Sequence, residues 1–202
     1  MKSEDPILES ILSFFKGIFE KKAKGEYCYA VFQNSWLNEI GLDTDSREEA
    51  MCSRTTKKLQ EFLLKKYFKR IKVEAPVAEG MTLRFEKFGN GNQQKEIKID
   101  PAKLQAFDIL DLETGTAYEI SLSDAFAEFF KDVLKALLDS RVKRLYLCMR
   151  NHHYKGSKKS GFIKVRDSER VHQYMNLARL YKLEIFLVDL FPECNAKNGT
   201  EN

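Results

Sequence analysis

Apolar residues recur along this chain with two different periods, and the period distinguishes predicted helices from predicted strands. Spacings of three and four residues predict helices that begin at Asp5-Pro6 and at Ser168 and that run over about 47–68 and 124–138. Alternation and short apolar runs predict strands over 71–77, 81–88, 96–99, 107–112, 117–123, 144–149 and 183–191. The segment 27–32 fits either a short strand or a helix.

The order of these elements predicts the fold class. The turn Gly89-Asn90-Gly91-Asn92 predicts a hairpin between the strands on either side of it. From Phe107 onward the order is strand, strand, helix, strand, helix, strand, which favours an α/β fold with a mixed central β-sheet flanked by helices. The helix over 124–138 should cross over to a parallel neighbouring strand. We expect an N-terminal helical extension over 1–46 that packs on a core over 47–193, and a disordered tail over 194–202.

Composition narrows the class of protein. The 202 residues are 43% hydrophobic and 32% charged, and no apolar run approaches the ~20 residues of a membrane span. The segment 1–5 carries two acids and does not resemble a secretory signal. The cysteines at 28, 52, 148 and 194 are scattered without a CxxC pair, which favours reduced thiols and a cytoplasmic location. The net charge of +4 permits a nucleic-acid partner.

Two acids interrupt apolar strands. Asp108 lies between Phe107 and Ile109, and Glu119 lies eleven residues later on the next predicted strand. Burying a carboxylate is costly unless it is paired or binds a cation. Because a tight turn joins the two strands, both carboxylates can meet on one face and share a Mg²⁺ ion. Asp111 is a rival to Asp108, but it lies on the opposite face of a regular strand.

The stretch Phe107-Asp108-Ile109-Leu110, the turn after it and Tyr118-Glu119-Ile120-Ser121 resemble the PD-(D/E)XK nuclease superfamily, as does the element order over about 47–191. The resemblance implies a restriction-endonuclease-like core. It also implies that Asp108, Glu119 and the carbonyl of Ile120 hold Mg²⁺, for which Mn²⁺ can substitute. A helix acid sometimes joins such sites, and the candidates here are Glu48, Glu49 and Glu61, of which we prefer Glu49.

The chain departs from the family pattern at Ser121, where the family carries a lysine. A serine hydroxyl can hold the attacking water but brings no positive charge. Three explanations remain open: a basic residue reaches the site from elsewhere, the metal alone activates the water, or the site is degenerate and the domain only binds. Candidates for the basic residue are Lys143, Arg150 and Lys164.

A basic segment over 151–166 is the strongest indication of a partner. We expect a loop that contains no acid and that contacts the DNA backbone through Lys155, Lys158, Lys159, Lys164 and Arg166. The alternative is a solvated surface loop. Phe162 in this loop could stack on bases or pack. Neither His152 nor His153 has the partners that a zinc site needs, and we expect His172 to be a surface or capping residue.

Together these features predict a Mg²⁺-dependent DNA endonuclease of the restriction, repair or junction class, with Asp108, Glu119, Ser121 and Glu49 in the active site. The alternative is a catalytically degenerate nuclease-like domain that serves as a DNA-binding or assembly subunit. A third is an unrelated α/β protein. The aromatic stripe of the first helix is expected to pack as core or to form the surface of a homodimer.

Overall fold

A computed structural model describes residues 5–20, 48–77, 82–86, 94–98, 105–122, 126–149 and 161–190. The predictions made for 27–32 and for the tail lie outside these residues. The described residues form five helices and seven strands. The helices are α1 (Pro6–Glu20), α2 (Glu48–Tyr67), α3 (Phe126–Leu138), α4 (Gly161–Arg166) and α5 (Glu169–Leu180). The strands are β1 (Ile71–Pro76), β2 (Thr82–Glu86), β3 (Gln94–Lys98), β4 (Ala106–Asp111), β5 (Thr116–Ser121), β6 (Arg144–Met149) and β7 (Glu184–Asp189).

Five of the described strands form one mixed sheet in the order β1-β4-β5-β6-β7. β4 pairs antiparallel with both β1 and β5, whereas β5, β6 and β7 run parallel to one another. The predicted mixed sheet is therefore confirmed, as is the expectation that α3 connects parallel neighbours. β2 and β3 form the predicted hairpin as a separate antiparallel pair.

Helices cover both faces of the sheet and form two hydrophobic cores. Alternate residues of β5 and β6 point to opposite sides, as a pleated strand requires. Ala117 and Leu147 pack with α3, α4 and α5, whereas Tyr118 and Cys148 pack with α1 and α2. The first helix supplies three fully buried side chains to the second core: Ile7, Ile11 and Phe15. The apolar stripe is therefore core over the part of the helix whose side chains are described, through residue 15.

The segment over 161–166 is not the loop that we predicted. It forms the short helix α4, because Phe162 and Val165 are three residues apart and both are buried in the first core. From the sequence alone, the many basic residues of this segment favour a loop, because only two apolar residues have helical spacing. Ser168 then begins α5 as predicted, and its hydroxyl accepts a hydrogen bond from the N–H of Val171. Within the described residues, no helix is long and apolar enough to cross a membrane.

The turn between β4 and β5 fixes the register of the hairpin that carries the two strand acids. Gly115 has a φ of +67°, and a Cβ at that position would lie 2.4 Å from the carbonyl oxygen of Arg141. Only glycine fits both constraints. The buried carboxylate of Asp111 closes the turn by accepting hydrogen bonds from the N–H of Glu113 and the hydroxyl of Thr114. Asp111 therefore has a structural position in the hairpin.

Asp111 should also make the fold sensitive to acid. Burial alone would raise the pKa of Asp111, but hydrogen bonds from Arg70, Thr114 and Glu113 outweigh burial and lower it. A lowered pKa means that Asp111 stabilises the fold above the unfolded-state pKa of ~3.9, and that this contribution is lost as the pH falls below it.

We expect Asp111→Asn to reduce the free energy of unfolding by about 2–3 kcal/mol at pH 7, because the amide keeps only one of the two oxygens that accept hydrogen bonds from Arg70 at 2.8 and 3.1 Å and removes the negative charge paired with it. The loss should shrink as the pH falls from 7 to 3, because below the unfolded-state pKa of ~3.9 the contribution of the ionised carboxylate is progressively lost. Urea unfolding of both proteins at the two pH values measures this difference. An equal loss at both would show that the charge of Asp111 is not what stabilises the turn.

Candidate active site

The two strand acids come together where β4 and β5 separate. The backbone pairing runs from Asp111↔Thr116 through Ile109↔Tyr118. At the next position a side-chain hydrogen bond takes the place of backbone pairing: Asp108 Oδ2 accepts a hydrogen bond from the N–H of Ile120 at 2.7 Å. The carboxylate of Asp108 therefore lies against the backbone of β5 beside Glu119.

The other neighbour of β4 is also irregular at this point. On β1, Glu74 lies between the pairs Val73↔Ile109 and Ala75↔Phe107 and has a φ of +46°, which is rare for a residue with a side chain. Gln60 of α2 donates from Nε2 to Glu74 Oε1 at 2.8 Å and to the carbonyl oxygen of Asp108 at 3.0 Å. Strained backbone of this kind concentrates at functional sites, and here it lies next to Asp108.

Glu119 is buried and forms an ion pair with a lysine from α3. Lys135 Nζ lies 2.6 Å from Glu119 Oε1 and 3.0 Å from Asp132 Oδ1. The same ammonium donates to the carbonyl oxygen of Ala106 at 3.0 Å. Glu119, Asp132 and Lys135 are all buried. One ammonium therefore bridges the second strand acid and a third carboxylate that the helix contributes.

The electrostatics of this cluster favour an additional positive charge. Burial raises the pKa of Asp108 to about 6, although the hydrogen bond from Ile120 opposes the shift. Burial raises the pKa of Glu119 well above its ordinary value, and the neighbouring carboxylates of Asp132 and Asp108 raise it further. When all are ionised, three carboxylates face one ammonium. A bound cation would relieve this excess of negative charge.

The donor set fits the Mg²⁺ ion that the sequence predicts. Carboxylate oxygens are the ligands that Mg²⁺ prefers, and Mg²⁺ commonly keeps several waters when only one or two carboxylates bind it. In the part of the chain that the structure describes, no three Asp, Glu, His or Cys side chains are grouped closely enough to ligate one ion. If Mg²⁺ binds here, Asp108 and Glu119 are the two carboxylates that would ligate it, with water, the Ile120 carbonyl or a substrate phosphate completing the shell.

The remaining predicted acids occupy different positions. Asp111 is bound to Arg70 and to the hairpin turn, so it does not take the place of Asp108. On α2, Glu61 is exposed, and the side chains of Glu48 and Glu49 lie outside the described residues. The α2 side chain that does reach the site is Gln60, which sequence reasoning missed. Its signal was the buried helical face formed by Thr56, Leu59, Gln60 and Leu63.

Neither of the two described candidates supplies the positive charge at Glu119. Lys143 is exposed and donates its N–H to Gly115 at the opposite end of β5 from Ser121. Lys164 is exposed on α4, and Arg150 lies outside the described residues. The residue that does reach Glu119 is Lys135. Lys135 lies three residues after Asp132 on α3, and both are buried, which a lysine on an amphipathic helix does not lead one to expect.

Ser121 is the last residue of β5 and pairs in register with Met149. Its side chain is half-buried. Ile120 is buried beside it and donates its N–H to Asp108. The roles predicted for the Ser121 hydroxyl and the Ile120 carbonyl remain predictions.

Only the end of the predicted basic segment is described. Lys164 and Arg166 are exposed on α4, and Arg166 forms an ion pair with Asp167 at 2.8 Å. Lys155, Lys158 and Lys159 lie outside the described residues, as does the His152-His153 pair. His172 is exposed, and its Nε2 lies 2.7 Å from the carbonyl oxygen of Arg166. The prediction that His172 is a surface or capping residue is therefore confirmed.

Comparisons with protein-family models, with curated proteins and with solved structures find no match to this chain.

Proposed function

We propose that the protein is a Mg²⁺-dependent DNA endonuclease with a restriction-endonuclease-like core, in which Asp108 and Glu119 hold the cation. The observation that carries this proposal is the position of the two carboxyl groups where β4 separates from β5. The backbone pairing of β4 with β5 ends at Ile109, the Asp108 carboxylate accepts a hydrogen bond from the N–H of Ile120, and Glu119 is buried next to it. Buried acids in excess of their cationic partners are stabilised either by protonation or by a bound cation, and a cation keeps both ionised.

The order of elements around these residues supports the proposal independently. α2 precedes the sheet, the β4–β5 hairpin carries both acids, and α3 then leads to the parallel strand β6. This is the order on which the resemblance to PD-(D/E)XK nucleases rests. α3 also packs against β5 and brings Lys135 and Asp132 to Glu119. The site is thus built from consecutive elements of one unit.

The proposed reaction adds water across one phosphodiester bond. The water oxygen bonds to phosphorus, the ester P–O bond breaks, and the products are a phosphomonoester and a free hydroxyl. Mg²⁺ at such a site acts as a Lewis acid toward phosphate oxygens and lowers the pKa of water. The chain fixes the ligands in advance: the N–H of Ile120 orients Asp108, and the ammonium of Lys135 orients Glu119. We further propose that the basic segment over 151–166 contacts the DNA backbone.

A cleavage panel tests this function directly. The full chain is incubated with duplex, single-stranded and branched DNA in Mg²⁺, in Mn²⁺, and in EDTA without either metal. We expect cleavage of at least one substrate with Mg²⁺ or Mn²⁺ and none with EDTA. Cleavage that persists with EDTA would show that the reaction does not use a cation at Asp108 and Glu119.

A second candidate function is a DNA-binding subunit with a degenerate site. The observation that favours it is the ion pair between Lys135 and Glu119 at 2.6 Å, which neutralises the second acid without a metal, together with the serine at position 121. In that case the chain should bind DNA with an affinity that falls steeply with salt, because phosphate contacts release counterions. It should cut none of the three substrates in either metal.

A further inference from the structure

We propose that Lys135 is the internal counter-ion of the cation site, and that a divalent cation at Asp108 and Glu119 displaces its ammonium from Glu119 onto Asp132. This inference rests on the proposed function, because it concerns the same two carboxylates. It assigns Lys135 and Asp132 as positioning residues for the cation. It also explains how a site rich in buried acids stays folded without metal.

Lys135 is held in place by contacts with several oxygen atoms inside the protein. Its side chain is buried, which is rare for lysine unless it is paired. Three oxygens surround Nζ, namely Glu119 Oε1 at 2.6 Å, Asp132 Oδ1 at 3.0 Å and the Ala106 carbonyl at 3.0 Å. The Ala106 carbonyl accepts a hydrogen bond from the ammonium, and the two carboxylate oxygens form ion pairs with it. The stem also packs beside Phe107, with Nζ 5.7 Å from the ring centroid.

A cation and the ammonium would compete for Glu119. A metal ion bound to Asp108 and Glu119 would place a double positive charge close to Nζ, and like charges at this distance in a buried site repel each other strongly. Asp132 offers the ammonium another partner. It lies one turn earlier on α3, three residues before Lys135, and already contacts Nζ. Displacement would leave Lys135 paired with Asp132 instead of moving it into solvent.

The same movement would supply the charge that Ser121 does not. Paired with Asp132, the ammonium would stay close to the cation site, where a positive charge would stabilise the negative charge of a phosphoryl transition state. Lysine suits this role because its ammonium is a compact point charge on a flexible stem. Lys135 would therefore neutralise Glu119 when no metal is bound and stabilise the phosphate when the metal is bound.

Binding of Mn²⁺ alone to the full chain tests the inference without DNA. Free Mn²⁺ is measured by electron paramagnetic resonance for wild type, Lys135→Met and the control Lys131→Met, which alters an exposed lysine one turn away on α3. We expect Lys135→Met to bind Mn²⁺ about tenfold more tightly than wild type, because the competing charge is gone. Lys131→Met should stay within about twofold of wild type, and Lys135→Arg should restore wild-type affinity. A purely structural lysine would give the opposite result, since its loss would weaken the site.

A second measurement avoids any dependence on the folding of the variants. In wild-type chain the buried Lys135 ammonium should give its own NMR signal, and saturating Mg²⁺ should shift that signal. Equal or weaker Mn²⁺ binding by Lys135→Met, or an ammonium signal that saturating Mg²⁺ leaves in place, would overturn the inference. Even if the Lys135 results overturn the inference, Mn²⁺ binding by wild type and not by Asp108→Asn would still support the proposed cation site. Tighter binding by Lys135→Met in a chain that cuts no DNA would support the inference and contradict the nuclease function. Absence of Mn²⁺ binding to wild type would overturn both.

Discussion

Asp108→Asn should reduce the rate of cation-dependent DNA cleavage by at least about a thousandfold while making the protein more stable. The loss of activity follows from the loss of one of the two anionic ligands proposed for the cation, since electrostatic contributions of this kind are worth several kcal/mol in the transition state. The asparagine oxygen can still accept the hydrogen bond from Ile120. The local backbone should therefore be preserved, and the effect should be one of charge.

The gain in stability has its own physical reason and a defined pH range. Burial raises the pKa of Asp108 from its ordinary value of 3.8 to about 6. Because a raised pKa means that the folded state prefers the protonated acid, the ionised group destabilises the fold above about pH 6. This penalty disappears as the pH falls below about 4. A shift of this size corresponds to at most about 3 kcal/mol, so Asp108→Asn should raise the free energy of unfolding by about 1–3 kcal/mol at pH 8.

Glu113→Gln provides the matched control for both halves of this prediction. Glu113 lies in the turn of the same hairpin, and its side chain is 65% exposed. Removing its charge should change neither the cleavage rate nor the stability appreciably. Urea unfolding of the variants at pH 8 and pH 4 is the stability measurement. Unaltered cleavage by Asp108→Asn would exclude it as a cation ligand, and an equal stability gain at both pH values would exclude ionisation as the cause.

The elements of this fold were predictable from sequence wherever the signal is local. β6 spans 144–149 as predicted, because a short apolar run between polar segments is typical of a strand buried on both faces. Ser168 begins α5 because a serine side chain can cap the first turn of a helix. The helix α4 was missed because one and a half turns provide only two buried positions, Phe162 and Val165, among charged neighbours.

The candidate site was predictable only in its strand half. Asp108 and Glu119 attract attention because an acid within an apolar strand is costly, whatever the rest of the fold does. Lys135 gives no such signal, because a lysine on an amphipathic helix is normally exposed. Its burial depends on how α3 packs against β5, which is a tertiary property. Gln60 was missed for the same reason, since its contact with Asp108 joins residues 48 positions apart.

These polar contacts connect the site to both layers of helices. Lys135 belongs to the side that α3 covers, whereas Gln60 reaches Asp108 from α2 on the other side. Tyr118, the residue before Glu119, extends the connection to α1, because its hydroxyl donates to both carboxylate oxygens of Asp5 at 2.9 and 2.8 Å. The position of β5, and therefore of Glu119, depends on helices that lie on both faces of the sheet.

Phe15→Ala should accordingly destabilise the whole sheet and not only the first helix. Phe15 is fully buried in the core that contains Tyr118, Ile120 and Cys148. Truncating a buried phenylalanine removes its transfer free energy and leaves a cavity, for a loss of about 3–5 kcal/mol. That is a large fraction of the 5–15 kcal/mol that typically stabilises a folded domain. Urea unfolding followed by circular dichroism and by tyrosine fluorescence should show one shared transition at lower denaturant concentration.

Phe68→Ala is the control, because Phe68 is 74% exposed just after α2 and its truncation should cost less than about 0.5 kcal/mol. If α1 were an appendage with its own stability, Phe15→Ala would split the transition and leave the tyrosine signal of the sheet nearly unchanged. The buried Ile7, Ile11 and Phe15, together with the Asp5–Tyr118 hydrogen bonds, argue against that outcome. They favour a single cooperative unit in which the first helix helps to hold the strand that carries Glu119.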